Sequence, residues 1–198
     1  AGITLSLMLG LSIATSGQAD AIPVEITHKD GRFQLLRGGE PYDVRGAGLE
    51  LGDMGLFASY GGNSIRTWST ENPKITALEV LDNAQKHGVT VSMCIEVGRE
   101  RLGFDYNDEE AVAAQFEFAR NEVMKYKDHP ALLTWIIGNE VNLSFRNPKV
   151  FDAINDISKM IHETDPNHPT TTALAGFSPQ LVKLVETRAP DLDFISTQ

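Results

Sequence analysis

From Tyr42 onward the chain repeats one rhythm: an apolar run of strand length, a break marked by Gly, Asn or Asp, then apolar residues spaced three and four apart. Short apolar or alternating runs predict strands, and spacing at i, i+3, i+4 and i+7 predicts helices. Segments 42–50, 63–69, 89–97, 132–142, 170–176 and 193–197 read as strands. Helices are expected around 56–60, over 75–88, from Asn107 or Asp108 onward, from Pro148 onward and over 178–186. In the second of these Ile75, Leu78, Leu81 and Ala84 form the expected buried stripe, with Gly88 as the stop. Val112, Phe116, Ala119, Val123 and Tyr126 do the same in the third. Phe151, Ile154, Ile157 and Ile161 do so in the fourth, which Pro148 opens at the favoured first position. Before Tyr42, alternating segments punctuated by Lys29-Asp30-Gly31 and Arg37-Gly38-Gly39 predict a short β-hairpin lead-in over residues 22–41.

Strands alternating with helices imply a parallel sheet, either open and doubly wound or closed into a barrel. No Gly-rich dinucleotide fingerprint or phosphate loop follows any strand, which removes the usual reason for the open form. The expected fold class is therefore α/β, a (β/α)8 TIM barrel. An eight-unit barrel needs roughly 250 residues. The segment 42–198 is shorter, so the expectation is an incomplete barrel of about the first six strands, part of a truncated or longer reading frame.

The opening residues read differently. Ile3 to Ala14 is uncharged and apolar, too short to span a bilayer, and is followed by small residues at Gly17-Gln18-Ala19 and Ala19-Asp20-Ala21. Residues 1–21 are expected to be part of a signal peptide whose start is missing, which implies export to a periplasmic or extracellular compartment and no membrane anchor after its removal. A net charge of −10 without any basic run argues against nucleic acid as a partner. One cysteine, Cys94, excludes an internal disulfide and sits in an apolar run that suits burial.

Candidate chemistry lies at the strand ends, because in a parallel barrel the loops after the strands form the roomy polar surface. "LLTWIIGNEVN" ends an apolar run in Gly138-Asn139-Glu140. Glu50, Arg66, Trp68 and Glu96 occupy corresponding positions on the first three strands. Converging acids, an arginine and an indole suit a polyhydroxylated substrate, with polar groups bonding hydroxyls and the aromatic face covering a sugar ring. Arg66 could alternatively pair with Glu50 or Glu96, and Trp135 reads as packing. The histidines lack ligand spacing, and "DYNDEE" lacks the central Gly and closing Glu of a calcium loop, so neither metal nor other cofactor is expected. Asn142-Leu143-Ser144 fits the glycosylation pattern, but a glycan there would block the cleft beside Glu140.

"YKDHPALLTWIIGNEVN", together with "GGNSIRTWSTEN", "HETDPNHPTTTALAG" and "DLDFIST", resembles the catalytic barrel of clan A glycoside hydrolases, most closely that of glycoside hydrolase family 2, over about Phe33 to Gln198. The resemblance implies a retaining enzyme acting on β-linked glycosides or polysaccharides. It makes Glu140 the acid/base, Asn139 the amide that holds the sugar 2-hydroxyl and Arg66 a support for the nucleophile carboxylate. Trp68, Glu96 and Glu50 would be substrate-binding. Retaining hydrolysis needs two carboxyl groups about 5–5.5 Å apart. The nucleophile belongs on a seventh strand, so these 198 residues alone are expected to be inactive. Two features depart from the pattern: the roughly twenty residues between the expected leader and Tyr42 are too few for the β-sandwich domains that usually precede such a barrel, so a barrel-only relative is expected, and an Arg-Gly-Gly turn stands where relatives tend to have Asn-Gly. A non-catalytic carbohydrate-binding barrel and a β-glucan transglycosylase are the alternatives.

Overall fold

The computed structural model describes residues 20–198, so the expected leader lies almost wholly outside the described residues. The lead-in is a three-stranded antiparallel sheet of β1 (Val24–Lys29), β2 (Arg32–Arg37) and β3 (Glu40–Pro41) in that order. Its two turns lie where the sequence places them. Asp30-Gly31 and Gly38-Gly39 all have positive φ, the pairing of conformations that two-residue hairpin loops demand. The sheet docks on the starts of later strands: Val24 N donates to Asn167 O at 2.7 Å, and Arg37 Nη2 to Pro130 O at 2.7 Å.

Six parallel strands make the main sheet: β4 (Gly46–Gly48), β5 (Ser64–Arg66), β8 (Thr90–Ile95), β9 (Leu132–Asn139), β10 (Thr170–Leu174) and β11 (Phe194–Thr197). Their spatial order follows the chain order from β4 to β11 without reversal. A doubly wound sheet reverses direction at a switch point. This one does not, so it curls steadily into a six-stranded half-barrel. The minor hairpin of β6 (Glu71–Asn72) and β7 (Ile75–Thr76) lies in the loop after β5.

Five helices join the strands: α1 (Met54–Ser59), α2 (Ala77–Lys86), α3 (Glu109–Tyr126), α4 (Lys149–Thr164) and α5 (Pro179–Arg188). Their local chemistry is regular. Thr76 and Glu79 form a capping box, Asp108 caps α3 and Ser178 caps α5 ahead of Pro179. The buried stripe of α4 includes Phe151, Ile154, Ile157 and Ile161 as expected. That of α2 is shifted: Ala77, Val80, Leu81 and Ala84 are buried, and Leu78 is 46% exposed. The cap at Thr76 moves Ile75 out of the helix into β7, and counting i, i+3, i+4, i+7 from Ala77 excludes Leu78. The main core lies between strands and helices, and a smaller cluster of Cys94, Ile136 and Ala173 lies on the concave face. Burial pushes the Cys94 thiol up to about 12, which leaves it inert at neutral pH. No described helix is long and apolar enough to cross a membrane.

Two polar clusters tie helix to strand. Buried Asp165 accepts from Trp135 Nε1 at 2.7 Å and from Asn167 N at 3.1 Å, and lies 2.8 Å from His168 Nδ1. Trp135 is thus a core residue with a satisfied indole. In the second cluster Asp193 lies 2.9 Å from His162 Nε2 on α4 and accepts from Thr170 N at 2.7 Å on β10. The hydrogen bond to Asp193 raises the pKa of His162 above its ordinary 6.5, against burial. Burial pushes Asp193 up, but hydrogen bonds from His162 and Thr170 outweigh it and hold the carboxyl below its ordinary 3.8. The histidine's contribution to stability is fully present below pH 6.5 and is lost as pH rises through its raised folded value. That of the aspartate is present above pH 3.8 and is lost as pH falls through its lowered folded value. Thermal midpoints from pH 3 to 9 should therefore show a plateau from about pH 4 to 6.5 that Asp193→Asn flattens. Parallel profiles for variant and wild type would exclude the pair as its source.

Candidate active site

The apolar run of β9 ends in Gly138-Asn139-Glu140 because the strand is bulged there. β9 pairs with β10 as Thr170↔Trp135 and Thr171↔Ile136, but the next pair is Ala173↔Asn139, so β9 carries one extra residue. Ile136 lies in the concave cluster, whereas Trp135 and Ile137 belong to the core under the helices. Strict alternation would place Gly138 inside and Asn139 outside. The extra residue reverses that parity and turns Asn139 toward the concave side. Gly138 has φ +76, and a Cβ there would lie 2.6 Å from Val97 Cγ2 and 2.8 Å from Val141 Cγ1. Glu140 also has positive φ (53°), a conformation that costs a non-glycine residue on the order of 1–2 kcal/mol. Its backbone is pinned by Glu140 N donating to Ala173 O at 2.7 Å.

Three side chains, those of Arg66, Gln198 and Arg101, converge on this tip. Arg66 Nη2 donates to Asn139 Oδ1 at 2.8 Å and Gln198 Nε2 donates to the same oxygen at 3.0 Å. Two donors on one oxygen fix the amide's orientation, leaving Nδ2 to donate outward. Gln198 Nε2 also reaches Glu140 Oε1 at 3.2 Å, and Arg66 Nη1 donates to Gln198 Oε1 at 3.2 Å. Arg101 approaches from the loop after β8: its Nη2 lies 3.3 Å from Glu140 Oε2 and its Nη1 donates to the Glu140 backbone oxygen. Arg66 is thus bonded to Asn139 and Gln198 rather than to Glu50 or Glu96.

The three residues expected to contact substrate are placed differently from one another. The Trp68 ring is 44% exposed, lies 5.2 Å from the Arg66 guanidinium and covers Gly48, where a Cβ would strike the ring at 2.5 Å. Both oxygens of Glu50 are engaged, one by Trp68 N at 2.7 Å and one by Asn72 Nδ2 at 2.7 Å. Glu50 therefore fixes the segment that carries the indole. Glu96 is half exposed and paired with Arg99 three residues on. The Asn142 amide is engaged in both directions with the Ala175 backbone, at 3.1 and 2.9 Å. Among the described residues, no group of three or more His, Cys, Asp and Glu is placed to hold a metal ion. A hollow of about 840 Å³ lies between the lead-in hairpin and the concave sheet face, lined in part by Phe33, Leu35, Ser92, Thr134 and Thr171, and none of the site residues lines it.

This six-stranded arc has counterparts of like fold among solved structures. A glycosyl hydrolase family 2 member from Bacteroides cellulosilyticus superposes with a TM-score of 0.63 at 16% identity, over 88% of this chain and 23% of that one. The likeness is one of fold. A Bacteroides uniformis beta-glucuronidase gives 0.62 at 18% identity over 83% and 22% of the two chains. A family 2 beta-galacturonidase from Eisenbergiella tayi gives 0.58 at 18% identity over 79% and 29%. The chain thus spans about a quarter of the length of the structures it matches. No family model matches the sequence, and no curated protein does.

Arg101 and Gln198 escaped the sequence reading. Arg101 lies in the irregular loop "GRERLGFDY", where no periodicity assigns a direction to a side chain. Gln198 carried a findable signal: it directly follows β11, at the same end of the sheet as Asn139.

Proposed function

We propose that this chain is the acid/base-bearing part of a retaining β-glycosidase, a (β/α)8 barrel that two further βα units would close between β11 and β4. One observation carries the reading: the β9 bulge turns Asn139 inward beside Glu140, with the amide locked by Arg66 and Gln198. In this reading a sugar ring lies against Trp68 and Asn139 Nδ2 donates to its 2-hydroxyl. A carboxylate on a later strand forms a bond to the anomeric carbon as the glycosidic C–O bond breaks. Glu140 gives its proton to the departing oxygen. Water then attacks the glycosyl-enzyme, its proton returns to Glu140, and the nucleophile carboxylate leaves. Arg66 supports Asn139 directly and would stand near that carboxylate. β-Linked glycosides are the proposed substrates, uronides among them because the structural neighbours include a glucuronidase and a galacturonidase. Export by the leader belongs to the same proposal.

The test uses the longest polypeptide that the coding frame yields. It is offered aryl β-glucosides, galactosides, mannosides and glucuronides and β-glucan polymers, and proton NMR identifies the first-formed anomer. Retention is expected on at least one substrate. Inversion would overturn the mechanism, and sugar binding without turnover would indicate a carbohydrate-binding barrel instead.

A further inference from the structure

We propose that Arg101 is a positioning residue for Glu140, and that the turn carrying it clamps the loop after β9. The inference rests on the acid/base role proposed for Glu140. Arg101 belongs to a single 3-10 turn, Glu100–Leu102, closed by Gly103 at φ +94. Two neighbouring side chains of this turn grip the β9 loop at both ends. Arg101 holds Glu140, and Glu100 Oε2 accepts from Arg146 N at 2.5 Å and Asn147 N at 2.9 Å. An isolated surface ion pair fixes little, because each long side chain keeps its rotamers. Arg101 does more, since its planar fork engages the backbone oxygen and the carboxylate of the same residue. That double contact ties the glutamate's side-chain torsions to its main chain. Arg101 holds Oε2 at 3.3 Å while Oε1 accepts from Gln198 Nε2 at 3.2 Å, so the carboxyl is fixed from both sides.

Lysine offers a point charge without the fork, so Arg101→Lys should fail almost as fully as Arg101→Met. In the complete enzyme, kcat/KM for phenyl glycosides should fall about 10²-fold, the scale of a misplaced catalytic group. For 2,4-dinitrophenyl glycosides, whose leaving group departs without a proton, the fall should stay under about threefold. Added guanidinium should restore part of the loss in Arg101→Met. Equal loss on both substrates, or full activity in Arg101→Lys, would overturn the positioning role. Amide hydrogen exchange supplies an independent reading: residues 138–144 should exchange faster in Arg101→Met, and unchanged exchange would overturn the clamp. If the wild type cleaves no glycoside, the glycosidase reading fails and the exchange result alone decides the clamp.

Discussion

Glu140→Gln in the complete enzyme should lower kcat/KM for phenyl β-glycosides by about 10²–10⁴-fold, the usual contribution of a positioned general acid. Glutamine keeps the length and shape of the side chain and its one oxygen can still accept from Arg101, but it has no acidic proton to give. The folded state should barely change. Glu140 is partly exposed and its pairing with Arg101 is of the kind that contributes about 0–1 kcal/mol, so the thermal midpoint should stay close to that of the wild type. The loss should depend on the leaving group. With 2,4-dinitrophenyl glycosides the first step should proceed nearly as before, whereas release of the glycosyl-enzyme slows because nothing activates water. Added azide needs no base and should restore kcat while forming a β-glycosyl azide. Loss that is uniform across leaving groups, without azide rescue, would remove Glu140 from proton transfer.

Gly138→Ala should damage stability and site together. At φ +76 an L side chain costs about 1–2 kcal/mol, and forcing a methyl into a filled core costs about 1–3 kcal/mol more. Urea unfolding should therefore show a loss of about 2–5 kcal/mol, the sum of those ranges. The methyl would meet Val97 and Val141, both buried in the main core, so neither can move freely. Val97→Ala in the same protein should recover part of the crowding and none of the backbone strain. A single-variant loss below about 1 kcal/mol would show that the bulge relaxes around a side chain. If it relaxes by returning β9 to strict alternation, Asn139 turns away from Arg66 and activity is lost even in molecules that stay folded.

The sequence made much of this legible. The alternation of apolar runs and amphipathic stripes placed β8 through β11 and their helices, because those elements bury one face against a single core and their periodicities survive intact. The early strands were less accurate. Residues 42–50 and 63–69 read as strands, yet only Gly46–Gly48 and Ser64–Arg66 pair, since Glu50 and Trp68 leave the ladder to bond each other. Position 140 was conspicuous as a carboxylate after an apolar strand. The inward direction of Asn139 was not, because it follows from an extra residue that appears only when β9 is set against β10. Arg101 could not be assigned for a related reason: its partner is 39 residues away, beyond α3 and β9, and the irregular loop that carries Arg101 has no pattern that fixes its aim.

Arg66 and Gln198 touch although their strands, β5 and β11, are four places apart in the sheet. On a flat sheet with strands about 4.8 Å apart, those tips would stand roughly 19 Å from each other. Their bond is therefore a chord drawn across an arc, and it ties the alignment of Asn139 to overall bend. A substitution far from the mouth that opened the arc by a few degrees would pull the two donors off Asn139 before it unfolded any strand.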